Sequence, residues 1–295
     1  MQKFQPTSNP LLEPQPEEIA ETLLVEAGSA NELPTDERKL LNYLGLQQLS
    51  FDFMQELEDF IPKDKKTLPD IRAALSVNDR IVATQAGLPS KRKKWATLHE
   101  IAHFIMPEHQ AKLFLPDNDQ TLGWWVKMRF EREANAIAAE LMFQGNRFTE
   151  ESLNLPTSIR APIQLSANYD ASLESAIRRY AERHVLPCAV IVYDKIPREF
   201  DEGDADESEY KIHYTITSLP FRRKYFAGLE IKGGSVKGSE LLRRGHGWRF
   251  NDITEAELIV GRGGEEEPWH FETEVFSNSY KIFQFLLPPK ETLQF

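Results

Sequence analysis

Cysteine is nearly absent from this chain of 295 residues, which contains Cys188 alone. A single cysteine excludes an intramolecular disulfide framework and favours a reducing compartment. Cys188 lies in the apolar segment L-P-C-A-V-I-V-Y, which indicates a buried small side chain rather than a nucleophile. The chain also lacks an apolar run of about 18 residues, and its N-terminal region lacks the basic start and apolar core of a signal peptide. These absences predict a cytoplasmic protein that does not cross a membrane.

Positive charge is in short supply, with 35 Lys and Arg residues against 46 Asp and Glu residues and a formal net charge of −11. Because a globally acidic chain is repelled by phosphate, direct nucleic-acid binding is not expected. One basic cluster, Lys91 to Lys94, is interpreted as a solvated loop, in preference to a role in binding an acidic substrate segment or a phosphate group. The acidic run 201–209 lacks the spacing of a calcium-binding EF-hand loop and is interpreted as a solvated hairpin loop. No pattern indicates the oligomeric state.

The most informative segment is W-A-T-L-H-E-I-A-H-F, because it contains His99, Glu100 and His103 in the order H-E-x-x-H. On an α-helix, residues four apart are separated by about 40° around the axis and roughly 6 Å along it, so both imidazoles project from one face. Glu100 lies about 100° around the helix from His99, within reach of a water on a metal bound by the two histidines. This arrangement is typical of zinc hydrolases.

A third metal ligand has three candidates. His109 falls where the metzincin pattern places its last histidine, but Met106 stands where that pattern requires a glycine. The second segment, F-E-R-E-A-N-A-I-A-A-E-L-M-F, has helical periodicity and offers Glu131 and Glu133. Glu131 is favoured. Asn135, one turn after Glu131, is expected to hydrogen-bond a ligand histidine and orient it.

These two segments, together with A-L-S-V-N-D-R-I-V-A-T before them, resemble the ImmA/IrrE family of zinc metallopeptidases over about residues 15–185. Trp95 matches the aromatic residue that precedes the family's H-E-x-x-H, and the stretch from Glu131 to Met142 matches its second helix, with Ile137 in place of the usual Phe. The resemblance implies that His99, His103 and Glu131 bind the metal and that Glu100 is the general base. It also implies Zn²⁺ as the cofactor, although another divalent ion would suit the same ligands.

The rest of the chain predicts an α+β protein in which a mainly helical, zincin-like metallopeptidase domain with a small sheet precedes a β-rich mixed C-terminal domain. Proline-rich residues 1–15 are expected to form a loose tail. The boundary is placed near Leu186, giving domains 16–186 and 187–295, because β-rich segments dominate thereafter. Family members with a C-terminal GAF-like sensor domain suggest, by fold-level analogy, a sensor or regulatory role for residues 187–295.

Local signals predict several elements. Proline and glutamates favour a helix over 16–27 that stops at Gly28, and a second helix is expected over 35–44 before Gly45. Residues 70–84 read as a hairpin that turns at Asn78-Asp79 and offers a strand edge to an extended substrate. Residues 107–123 are interpreted as a surface loop that includes a short helix around Ala111 to Phe114.

The sequence therefore predicts a zinc-dependent endopeptidase that uses a metal-activated water and Glu100 as the general base. The family resemblance implies that its partner and substrate is a DNA-binding transcriptional repressor or similar regulatory protein. The alternative hypothesis is a non-catalytic regulatory interaction module with a structural or vestigial metal site. A peptide cut that requires both bound zinc and Glu100 separates the two.

Overall fold

A computed structural model describes residues 15–56, 71–113, 124–195, 210–225, 230–236, 249–262, 265–278 and 280–287. Predictions made for residues 1–14 and for the acidic run 201–209 lie outside these ranges. The chain forms two compact units, the first comprising Met1–Phe148 with Ala167–Ser172 and the second comprising Thr149–Ser166 with Leu173–Phe295. Together they have the α+β composition predicted from the sequence.

The first unit begins with two helices whose ends follow local sequence signals. Helix α1 (Pro16–Glu26) has proline in its first turn, and Gly28 after it has a φ of +67°. Helix α2 (Glu37–Leu44) starts where the Asp36 side chain accepts a hydrogen bond from the backbone N–H of Arg38, and it ends at Gly45 with a φ of +66°. Glycine adopts this left-handed conformation without a Cβ clash. Both predicted helices are thereby confirmed.

A three-stranded sheet follows, in the order β1-β3-β2. Strand β2 (Ala73–Ser76) and strand β3 (Ile81–Gln85) form the predicted antiparallel hairpin, with Leu75 opposite Val82. Strand β1 (Gln47–Phe51) pairs with β3 in parallel and leads into the short helix α3 (Phe53–Glu56). Within the described residues, β2 is an edge strand of this sheet.

Three helices complete the first unit: α4 (Ser90–Ile105), α5 (Pro107–Leu113) and α6 (Trp124–Phe143). Helix α4 packs against both α6 and the β2–β3 hairpin. The loop prediction is wrong over 107–110, because Met106 is extended and Pro107 starts a new helix there. The short helix expected around Ala111 corresponds to the end of α5, and residues 114–123 lie outside the described ranges. Proline is tolerated at this position since a first helical turn leaves its backbone N–H groups unpaired anyway.

The basic cluster that the sequence analysis assigned to a solvated loop instead lies in the first turns of α4. Lys91 Nζ donates to the carbonyl oxygen of Ala171 at 2.9 Å. Lys94 is only 3% exposed, and its Nζ lies 3.9 Å from Asp170 Oδ2. Burial lowers the pKa of Lys94, although nearby carboxylates including Asp170 oppose this effect. The loop interpretation is wrong because these two lysines hold residues 170–171 against α4.

The second unit combines helices with a six-stranded antiparallel sheet in the order β5-β4-β9-β8-β7-β6. The helices are α7 (Arg147–Leu153), α8 (Arg160–Asn168), α9 (Leu173–Arg183) and α10 (Leu219–Tyr225). The first two residues of α7 and the last two of α8 are counted with the first unit. The strands are β4 (Ala189–Lys195), β5 (Tyr210–Thr217), β6 (Glu230–Val236), β7 (Arg249–Arg262), β8 (Glu265–Ser277) and β9 (Lys281–Leu286).

The core of the second unit joins its helices to its sheet. Ile191, Phe221 and Leu286 pack in one apolar cluster, and the Tyr180 ring of α9 lies 5.9 Å from that of Phe285. Helix α9 therefore groups with the C-terminal sheet, whereas the sequence places the boundary after this helix, near Leu186. Among the residues that the structure describes, no helix is both long and apolar enough to cross a bilayer.

Candidate metal centre

Helix α4 presents both histidines of the H-E-x-x-H motif on the side that packs against α6. The opposite side is anchored in the core, since Leu98, Ile101 and Ala102 are completely buried. Each large apolar side chain buried in this way contributes about 1.5–3 kcal/mol to folding. The orientation of the motif is therefore fixed by packing and does not depend on a ligand.

His99, His103 and Glu131 form a group whose ligand atoms all lie within 4.8 Å of one another. The Nε2 atoms of the two histidines are 3.1 Å apart. The Glu131 carboxylate of α6 completes the group, with Oε2 3.3 Å from His99 Nε2 and Oε1 3.8 Å from His103 Nε2. The structure thus brings together the three residues that the family resemblance implies as ligands.

The donor set fits a divalent cation such as zinc. Zinc–nitrogen and zinc–oxygen bonds of about 2.0–2.1 Å at tetrahedral angles separate neighbouring ligand atoms by roughly 3.3 Å. The separations of 3.1, 3.3 and 3.8 Å lie around this value. Two imidazoles with one carboxylate is also a ligand set used by zinc hydrolases, which leave a fourth position open.

Glu100 lines the same cavity as the three-residue group. Burial raises the pKa of its carboxyl to about 7, and the negative charge of Glu131 acts in the same direction. Glu100 does not belong to the group of candidate ligands among the described residues. It is therefore available to exchange a proton with a molecule held in the cavity.

The cavity has a volume of about 860 Å³ and is bordered by elements of the first unit alone. Side chains of α4 and α6 form one part of its lining, including Trp95, Lys127 and Asn135. Residues 71–75, which contain most of strand β2, form another. Strand β2, the strand edge that the sequence predicts near the H-E-x-x-H motif, therefore borders the candidate metal centre.

His109 and Glu133, the two other candidates for the third ligand, lie outside the three-residue group. His109 Nδ1 is 3.1 Å from Nδ1 of His103, the ring nitrogen that does not take part in the group. Glu133 Oε2 lies 3.0 Å from His109 Nε2. The metzincin-like spacing placed His109 near His103, but no local pattern indicates its contact with Glu133, which lies 24 residues away on another helix.

Asn135 lies one turn after Glu131 and borders the cavity beside His99. Burial lowers the pKa of His99, and this effect exceeds the opposing effects of the Glu131 and Asn135 side chains. Nδ1 of His99 is buried, and no hydrogen bond to it is formed by the described residues. The Asn135 side chain therefore lies near His99, and its role in orienting that ring stays a prediction.

Known proteins were compared with the chain by family, sequence and structure. Residues 42–180 match the family model described as the IrrE N-terminal-like domain, Peptidase_M78. No curated protein matches the chain. Among solved structures, a Mycobacterium tuberculosis transcriptional regulator is similar at a TM-score of 0.48 and 11% identity, with 92% of this chain and 75% of that chain covered.

The matched segment starts within α2 and ends within α9, and it includes every residue of the candidate centre. It also coincides with most of the region over which the sequence motifs resemble the ImmA/IrrE family. Residues 42–180 of this chain therefore match the IrrE N-terminal-like family of the M78 peptidases, in agreement with the family that the motifs resemble.

Proposed function

We propose that this protein is a zinc-dependent endopeptidase that cleaves a regulatory protein, with Glu100 as its general base. The observation that carries the proposal is the position of Glu100 in one open cavity with His99, His103 and Glu131. His99, His103 and Glu131 would hold the ion. The chemistry that a bound zinc ion supplies is Lewis acidity, which lowers the pKa of water and polarises a carbonyl group.

Glu100 supplies the proton transfers of peptide hydrolysis. Its carboxylate accepts a proton from the attacking water while the water oxygen bonds to the scissile carbonyl carbon. The same carboxyl group then donates that proton to the amide nitrogen as the carbon–nitrogen bond breaks. Because Glu100 is attached to α4, whose other face is packed in the core, it remains within reach of the cavity throughout.

Strand β2 supports a protein or peptide as the substrate class. In the described part of the sheet, β2 pairs with β3 on one edge, and residues 71–75 border the cavity. An extended segment that adds to the free edge would be held by backbone hydrogen bonds, which do not depend on its sequence. A segment bound in this way would run past Glu100 and the three ligands.

A DNA-binding transcriptional repressor is the proposed substrate, because the IrrE-like family relationship of residues 42–180 suggests a regulatory target. The second unit, which has a core of its own, is proposed to control the activity. The net charge of −11 favours recognition of the repressor as a protein over binding to its DNA.

The test is to incubate the zinc-loaded protein with repressors encoded near its own gene. Cleavage of one of them that disappears with a chelator, and also in Glu100→Gln at unchanged zinc content, is the expected result. Zinc binding without a cut in any of these proteins would instead favour the regulatory interaction module with a structural metal site.

A further inference from the structure

Three side chains form a continuous line of contacts behind the candidate metal centre. Glu133 Oε2 lies 3.0 Å from Nε2 of His109, and Nδ1 of His109 lies 3.1 Å from Nδ1 of His103. His109 is 2% exposed, and its ring lies 4.3 Å from that of Phe130. Glu133 is held in turn by Arg129, whose Nε is 3.2 Å away. This line connects α5 and α6 to the ligand face of α4.

For a Glu133 carboxylate and two neutral imidazoles, one arrangement of protons satisfies the contacts along this line. A carboxylate only accepts hydrogen bonds, so Nε2 of His109 carries the proton that it donates to Glu133. A neutral imidazole has one N–H group, and Nδ1 of His109 is therefore an acceptor. Nδ1 of His103 is then the donor, and the lone pair of the neutral ring is on Nε2. That Nε2 atom faces His99 and Glu131.

We propose that His109 and Glu133 are positioning residues that keep the proton of His103 on Nδ1, so that its Nε2 is ready to bind a metal ion. The proposal rests on the metal-binding part of the proposed function and not on peptide cleavage. His99 provides an internal contrast, because its buried Nδ1 has no hydrogen-bond partner among the described residues. Of the two ligand histidines, His103 is therefore the one whose tautomer is set by a neighbouring side chain.

The first measurement is the tautomer of His103 in the full-length, metal-free protein, read from ¹⁵N chemical shifts of labelled histidine and assigned with His103→Gln. The wild type is expected to carry the proton on Nδ1. Glu133→Val and His109→Phe, which remove an acceptor while keeping much of the side-chain volume, are expected to lose this preference. A wild-type His103 protonated on Nε2 would overturn the proposal.

The second measurement is zinc affinity by competition with a chelator. Loss of an outer partner of a ligand histidine typically weakens metal binding about 10- to 100-fold, and this loss is expected for Glu133→Val and His109→Phe. Glu133→Gln should restore most of the affinity because its carbonyl oxygen still accepts the His109 N–H. Glu108→Gln is the matched control, since Glu108 is 61% exposed and its carboxylate contacts Arg129.

Wild-type affinity in a folded Glu133→Val variant, or equal loss in Glu133→Val and Glu133→Gln, would overturn the positioning role. If His109→Phe fails to fold, the comparison of Glu133→Val with Glu133→Gln is sufficient to test the proposal. None of these readouts involves cleavage, so a zinc-binding protein with the expected His103 tautomer that cuts no substrate would refute the peptidase and leave this proposal standing.

Discussion

Nε2 of His99 lies 3.3 Å from Oε2 of Glu131, although the two residues belong to different helices, α4 and α6. The contact exists because α4 and α6 pack side by side, with Ala134 and Ala138 of α6 fully buried. Two helices that are held in place by their buried side chains thus define the candidate metal centre. Changes to single side chains in it should alter metal binding without unfolding the first unit.

Glu131→Ala is expected to reduce zinc content strongly, because it removes the only carboxylate of the three-residue group. The fold should persist, since the Glu131 side chain is 43% exposed. Zinc per protein would be measured by metal analysis after gel filtration, with Glu108→Ala as the control. Near-normal zinc in Glu131→Ala would show that another residue is the third ligand.

Glu100→Gln separates proton transfer from metal binding. The amide keeps the size of the side chain but cannot accept a proton, so zinc content should stay normal while cleavage of a confirmed substrate falls about 10²- to 10⁴-fold. Rates and zinc content would be measured on the same preparation. Full cleavage by this variant would refute the proposed mechanism.

Metal removal should lower thermal stability, because an ion that binds only the folded chain adds RT ln(1 + [L]/Kd) to the free energy of unfolding. At a zinc concentration of about 100 Kd this amounts to roughly 2.7 kcal/mol. Thermal melting with zinc or with a chelator would show the difference in the wild type. His99→Ala should melt at one temperature in both conditions, and an equal zinc effect in this variant would place the ion elsewhere.

Acid sensitivity is predicted for the second unit. Burial tends to raise the pKa of Glu174, but hydrogen bonds from the Tyr214 hydroxyl and the Lys281 ammonium group outweigh it and lower the pKa from its ordinary value of 4.5. The unfolded chain therefore binds more protons, so this contribution is present above pH 4.5 and is lost as the pH falls through the folded-state pKa.

Lys281→Met removes the ammonium group, whose Nζ is 2.9 Å from Glu174 Oε1. The variant is expected to unfold at lower denaturant concentration than the wild type near neutral pH, and the difference should shrink under acid conditions. Urea titrations at about pH 6 and about pH 3.5 would measure it. A difference that is independent of pH would mean that the lysine acts through packing.

A chain that ends at Leu186 tests the boundary expected from the sequence. It retains all three candidate ligands but loses the strands β4 and β5 that α9 packs against. Ala176, Ile177 and Tyr180 of α9 are buried in the full chain, and removing the sheet exposes them. Aggregation is therefore expected, measured by light scattering. A soluble, monodisperse product with bound zinc would support a boundary near Leu186.

The sequence predicted the parts of the site that one helix determines. His99, Glu100 and His103 follow from helical spacing alone, whereas Glu131 was the favoured one of three candidates for the third ligand, because its approach depends on how α6 packs. The position of His109 depends on the break at Met106, where the chain leaves α4 and starts α5. Its contact with Glu133 is not local, and no spacing rule predicts it.

The same distinction applies to the fold. The helices beside Gly28 and Gly45 and the β2–β3 hairpin were predictable because capping and turn signals act over a few residues. Strand β1 was not predicted, because its sequence Q-Q-L-S-F is short and polar. It is held by parallel pairing with β3, in which Gln47 lies opposite Ile81, about 34 residues later in the chain. The grouping of α9 with the sheet likewise depends on contacts made by residues that follow it.

The segment Ala167–Ser172 belongs to the first unit, although the residues on both sides of it belong to the second. During synthesis, the first unit therefore cannot be completed when Phe148 emerges from the ribosome, because residues 170 and 171, which Lys94 and Lys91 contact, emerge later. Domains otherwise tend to fold in order from the N-terminus. The start of α4 thus gains these two neighbours only after the first part of the second unit, Thr149–Ser166, has emerged.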